Sequence, residues 1–161
     1  MEDGWWAMKR LARNLHLWSP VVKFITIGGA LAKYIHSMIR VRDLAPTIHF
    51  YSQGFGLKEV HRLDFPSFTL VYLREPESGF EVELTYNKDR SEPYDLGSAY
   101  GHMAFCTDDL ESLRQALDTL GGQPTEIKSL SVDGPVVAQF FFVTDPDGYK
   151  IEVLKRDGHY V

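Results

Sequence analysis

Three things are scarce in this chain. It carries one cysteine, Cys106, among 161 residues, so no disulfide can close within it and a reducing, cytoplasmic setting is expected. Buried free thiols are usually inert, and Cys106 reads as a small packed residue rather than a nucleophile. Positive charge is short as well: 17 Lys and Arg stand against 22 Asp and Glu, a formal net charge of −5. That balance excludes a phosphate-backbone partner, so no nucleic acid binding is expected. The apolar run from Val21 to Ala32 is broken by Lys23 and Gly28-Gly29, which makes it too short to cross a membrane. It also lacks the clean apolar stretch and small-residue cleavage site of a signal peptide.

What remains is ordinary globular composition, 44% hydrophobic and 24% charged, in a chain long enough to bury one core. Lys9, Arg10, Arg13, Lys23 and Lys33 concentrate the positive charge before residue 34. Residues 1–33 read as an N-terminal extension, partly helical through Trp5 to Leu17, ahead of a domain over residues 34–157.

That domain says nearly the same thing twice, over residues 34–88 and 100–157. One half opens at Ile35-His36 and closes at Gly79-Phe80-Glu81-Val82-Glu83; the other opens at Gly101-His102 and closes at Gly148-Tyr149-Lys150-Ile151-Glu152. Asp43 and Asp109 follow their histidines by seven residues, and Gly56 and Gly122 by twenty. Such internal repetition defines architecture before any single residue is trusted. In the first half, His36 to Val41 alternates as a strand, Asp43 caps a helix with Pro46 in its first turn, and Gly54-Phe55-Gly56 ends it. Strands follow at Leu57 to Leu63, Phe68 to Leu73 and Phe80 to Tyr86. In the second, His102 to Thr107 is a strand, and Leu110, Leu113, Leu117 and Leu120 stripe a helix stopped by Gly121-Gly122. Gln139 to Thr144 and Tyr149 to Lys155 complete it around an Asp145-Pro146-Asp147-Gly148 turn. The expected fold is α+β: two βαβββ repeats forming a curved mixed sheet with helices on its outer side.

The repeated positions are two histidines and two glutamates. Strand side chains alternate between faces, so His36, Met38 and Arg40 share one row, and Glu83, Thr85 and Asn87 a second. His102, Ala104 and Cys106 form a third, and Lys150, Glu152 and Leu154 a fourth. If the rows face one concave surface, His36, Glu83, His102 and Glu152 converge on a divalent cation. The nitrogen–oxygen set suits a first-row metal and leaves open positions for substrate. A lone strand histidine is more often an edge residue than a ligand, and a lone glutamate is more often exposed. Four at equivalent positions of a repeat outweigh that reading. His16, His49, His61 and His159 have no repeat counterpart and are assigned to surface or packing.

The segments Ile35-His36-Ser37-Met38-Ile39-Arg40-Val41, Glu81-Val82-Glu83-Leu84-Thr85-Tyr86-Asn87, Tyr100-Gly101-His102-Met103-Ala104-Phe105 and Asp145-Pro146-Asp147-Gly148-Tyr149-Lys150-Ile151-Glu152 together resemble glyoxalase I, of the vicinal-oxygen-chelate superfamily, over about residues 34 to 156. The resemblance implies isomerisation of the methylglyoxal–glutathione hemithioacetal to S-lactoylglutathione through an enediolate. It implies metal ligation by His36, Glu83, His102 and Glu152, catalysis by Glu152, which shuttles the proton, and Glu83, and substrate binding by His102 and by Arg40 and Asn87, which hold the thiol portion. It also implies a homodimer with each site between two subunits. The compact core is similar to the bacterial type that prefers nickel or cobalt, with zinc a third candidate. The stretch Lys128 to Phe140 departs from the loop many members carry over the bound thiol. A CoA-thioester epimerase, an extradiol dioxygenase and a non-catalytic binding protein of the same fold are the alternatives. Glu-Leu-Thr-Tyr-Asn and Arg40 weigh against the first, and the fourth ligand against the second. The intact ligand set weighs against the third.

Overall fold

The computed structural model describes residues 32–161, and the expected N-terminal arm lies outside the described residues. The first half runs β1 (His36–Val41), α1 (Leu44–Phe55), β2 (Lys58–Asp64), β3 (Phe68–Arg74) and β4 (Glu81–Asn87). The second runs β5 (Met103–Thr107), α2 (Leu110–Thr119), β6 (Lys128–Ser131), β7 (Val136–Thr144) and β8 (Lys150–Lys155). The α+β class and the βαβββ repeat are as the sequence indicates. The strands form two four-stranded mixed sheets, ordered β1-β4-β3-β2 and β5-β8-β7-β6. No helix among the described residues is long and apolar enough to cross a membrane.

Each sheet buries one face. Ile39, Val41, Val71, Leu73, Val82 and Leu84 of the first and Phe141, Val143, Ile151 and Val153 of the second join one core with Phe50, Tyr51, Leu110 and Leu117 of the helices. The alternate residues of the same strands are left facing away from the helices. Both helices start at an aspartate: Asp43 accepts from the Ala45 amide and Asp109 from the Ser112 amide, each at 3.0 Å, which satisfies amides the first helical turn leaves open. Gly56, at φ 70°, ends α1 in the left-handed conformation glycine tolerates best. A Cβ on Gly54 would stand 2.6 Å from Leu117 Cδ2, so the missing side chain is what lets the two helices approach.

The segment Lys128 to Phe140 is a hairpin, not an open loop. β6 pairs antiparallel with β7, and the Val132 amide donates to the Pro135 carbonyl (3.1 Å) across the turn. Asp133 and Gly134 supply the positive φ angles, 52° and 111°, that the tight reversal needs.

The Asp145-to-Tyr149 turn latches the second half onto the first. The Tyr149 hydroxyl donates to the Arg40 carbonyl (3.1 Å) and accepts from the Arg40 amide (3.2 Å) on the edge strand β1. Asp147 accepts from the Arg42 amide and the Thr47 hydroxyl, both at 2.8 Å. Asp145, buried beneath them, accepts from the Tyr51 hydroxyl (3.0 Å) and from the Asp147 and Tyr149 amides (2.9 and 2.8 Å).

Burial outweighs those three donors and pushes the Asp145 carboxyl up to about 6. The folded protein therefore holds this proton more tightly than the unfolded chain. The group favours folding most at low pH, and that contribution declines as pH rises from about 4 through 6, by roughly 3 kcal/mol in full. Asp145→Asn keeps the shape, with its oxygen still accepting from the Asp147 and Tyr149 amides and its NH2 donating to the Tyr51 hydroxyl in a reversed bond, but cannot ionise. Thermal unfolding of both proteins from pH 4 to 8 should show wild type losing ground to the variant across that window. Parallel curves would contradict the assignment.

Candidate metal and substrate site

The two halves place their histidine and glutamate by the same register. β1 and β4 are parallel with His36 opposite Glu81 and Met38 opposite Glu83. β5 and β8 are parallel with Met103 opposite Ile151 and Ala104 opposite Glu152. His36 is the first residue of β1 and His102 stands one residue before β5, not within it as expected, and each glutamate lies two residues along the neighbouring strand, on the face turned from the core. The outcome is two matching contacts: His36 Nε2 to Glu83 Oε2 and His102 Nε2 to Glu152 Oε2, both 3.2 Å.

That spacing fits the donor set to a cation. Two atoms each about 2.1 Å from one divalent ion, at about a right angle, stand about 3 Å apart. Each pair keeps some access: side-chain exposure is 33% and 12% for His36 and Glu83, and 42% and 18% for His102 and Glu152. The pairs do not converge within the chain. They lie on different sheets, and no group of three or more His, Cys, Asp or Glu among the described residues is placed to hold a metal ion. The single concave surface expected from the four rows is therefore two faces, each with one His–Glu pair.

Around each pair sit residues the sequence reading missed. Tyr72 is the cross-strand partner of Glu83 and Phe142 that of Glu152. Tyr72 meets the His36 ring edge-on at 5.7 Å, and Phe142 meets His102 at 5.4 Å. Counting back across each β-hairpin to the partner of the glutamate would have found both. The Tyr72 hydroxyl is raised above the ordinary phenol range by desolvation first, then by its hydrogen bonding to Glu83 and that group's charge. Thr85 donates a long hydrogen bond to Glu83 Oε1, 3.3 Å. His61 stacks on Tyr72 at 5.8 Å, a packing role as expected.

Arg40 continues the His36 row, opposite Thr85. Its side chain is exposed and forms no ion pair with a described residue. Asn87 ends the Glu83 row, and its Nδ2 donates to the Tyr94 hydroxyl at 2.9 Å. A cavity of about 740 Å³ lies elsewhere: it is lined by Phe55, Phe80, Phe105, Cys106, Leu113 and Arg156 among others, and by none of the four His and Glu.

The chain as a whole has counterparts among known proteins. Residues 33–153 match the Glyoxalase/Bleomycin resistance protein/Dioxygenase superfamily. The chain belongs to that superfamily. Within it, this glyoxalase-type chain is 40% identical over 129 residues to the lactoylglutathione lyase of Arabidopsis thaliana, covering 77% of this chain and 44% of the plant protein. It is 38% identical over 126 residues to the lactoylglutathione lyase of Haemophilus influenzae, covering 76% of this chain and 91% of that protein. The solved glyoxalase I of Zea mays superposes with a TM-score of 0.69 at 33% identity, covering 78% of this chain and 45% of that one. The chain thus spans less than half the length of the plant relatives it matches and about nine-tenths of the bacterial one.

Proposed function

We propose that this chain is a metal-dependent glyoxalase I, converting the hemithioacetal of methylglyoxal and glutathione to S-lactoylglutathione. The observation that carries the reading is the pair of His–Glu contacts, His36–Glu83 and His102–Glu152, built by one register in both halves. The similarity to lactoylglutathione lyases supports it. His36, Glu83, His102 and Glu152 are the metal ligands. A homodimer completes the set, one copy giving the first pair and its partner the second, since each chain holds the pairs on separate sheets. The single cysteine supports a reducing, cytoplasmic location.

A bound divalent cation supplies neutralisation of the charge that grows on the substrate's vicinal oxygens as the carbon-bound proton leaves. Everything else falls to side chains. Glu152 takes the proton from the carbon bearing sulfur and returns it to the neighbouring carbon, acting as base and then as acid. Its face partner Phe142 offers no hydrogen bond, so Glu152, in contact with His102, lacks the Thr85 and Tyr72 contacts that hold Glu83. Glu83, held by Thr85 and Tyr72, stays in place. Arg40 meets a carboxylate of the peptide-like thiol with its planar fork, and Asn87 bonds to the same portion.

Stripping the purified protein with a strong chelator should abolish thioester formation from methylglyoxal and glutathione. Refilling should restore it, with nickel or cobalt ahead of zinc. Full activity in protein shown to be metal-free would overturn the reading, and turnover of a CoA thioester in place of the hemithioacetal would reassign it.

A further inference from the structure

The two halves match at their histidines and glutamates and part company beyond them. Four residues past His36 stands Arg40; four past His102 stands Cys106. Four past Glu83 stands Asn87; four past Glu152 stands Arg156, which is committed to Glu77 through two hydrogen bonds of 2.7 and 2.8 Å. The polar groups available to a substrate's handle therefore belong to the first half. Among them, Asn87 is the one whose orientation is controlled from outside its own strand.

A carboxamide presents either an oxygen acceptor or a pair of N–H donors, depending on which way it is turned, and only its hydrogen-bond partners decide. Here the partner is Tyr94, half-buried in the segment after β4, whose hydroxyl receives the Asn87 Nδ2 at 2.9 Å. Among the described residues nothing donates to Asn87 Oδ1 in return. Tyr94 is itself held. The Arg90 guanidinium lies 4.4 Å over its ring centroid, a distance at which a cation is drawn to an aromatic face. Arg90 in turn is pinned by the Glu92 and Pro93 carbonyls at 3.2 and 3.1 Å.

We infer that Tyr94 is a positioning residue for substrate binding. It anchors the Asn87 carboxamide for contact with the thiol portion, and Arg90 clamps Tyr94 in that pose. The inference rests on the glyoxalase I reading. It places Tyr94 outside the chemistry: the residue acts on binding and leaves the proton transfer alone.

Tyr94→Phe deletes the hydroxyl and keeps the ring under Arg90. In the metal-loaded protein it should raise KM for the glutathione hemithioacetal about three- to tenfold with kcat unchanged. The Kd of S-methylglutathione, an unreactive thioether, should weaken by the same factor in calorimetry. Arg90→Ala should move both constants in the same direction by less. A purely structural role would instead lower the unfolding midpoint or cut kcat. An active wild type matched by Tyr94→Phe in KM and Kd overturns the Tyr94 assignment alone. A wild type that neither turns over the hemithioacetal nor binds S-methylglutathione removes the glutathione reading, and this inference with it.

Discussion

Two inactive variants of this chain should rescue one another when mixed. Glu83→Ala breaks the ligand pair of the first half, and Glu152→Ala breaks that of the second. Each protein alone should be dead, because every site it forms lacks one ligand. In a dimer whose sites each take one pair from either copy, a mixed dimer carries both lesions in one site and none in the other. Unfolding and refolding the two together, so that copies assort at random, should return about a quarter of wild-type activity, since half the dimers are mixed and half their sites intact. If one chain supplied all four ligands to its own site, mixing would restore nothing. No recovery in a mixture verified to contain mixed dimers would therefore sink the divided site. The expectation follows from His36–Glu83 and His102–Glu152 lying on separate sheets.

Glu152→Gln should lower kcat by about a hundred- to ten-thousandfold, the range general acid–base groups command, while KM, metal content and the circular dichroism spectrum stay near wild type. The amide keeps an oxygen for ligation but cannot carry the shuttled proton. The fold should tolerate it, because Glu152 lies on the face opposite Ile151 and Val153, which do the packing. Glu83→Gln makes the control. Glu83 stands against the Tyr72 hydroxyl and takes the Thr85 hydrogen bond, so its loss should appear first as weaker metal retention. Should Glu152→Gln keep wild-type turnover, or should the two variants behave alike, the division of labour between the carboxylates is wrong.

The repeat was legible because duplication leaves periodic marks: histidine, capping aspartate and glycine return at the same offsets, and strand alternation then assigns faces. His36 and Glu83 could be paired from a parallel β1–β4 register, and His102 and Glu152 from the same logic. What alternation does not carry is which strands share a sheet. Two four-stranded sheets and one larger curved sheet obey the same side-chain period, so the separation of the half-sites had no signal of its own. The β6–β7 hairpin was hidden for another reason. Its Asp133-Gly134 turn is a hairpin dipeptide, but Leu130, Val132, Val136 and Val137 around it are all exposed, against the usual hydrophobic pattern. Tyr94 and Tyr149 act through hydroxyls across long sequence distances or from loops, where no periodicity marks a partner.

The unequal continuation of the two halves bears on handedness. A pocket assembled from two equivalent half-sites would accept a substrate in either of two orientations and return the proton to either face of the carbon. Arg40 and Asn87 stand only on the first half, and the proposed base, Glu152, only on the second. Held by its thiol end on one side, the substrate always meets the base from the other. On the proposed reaction, a site built from near-copies thus yields a lactoyl thioester of a single configuration.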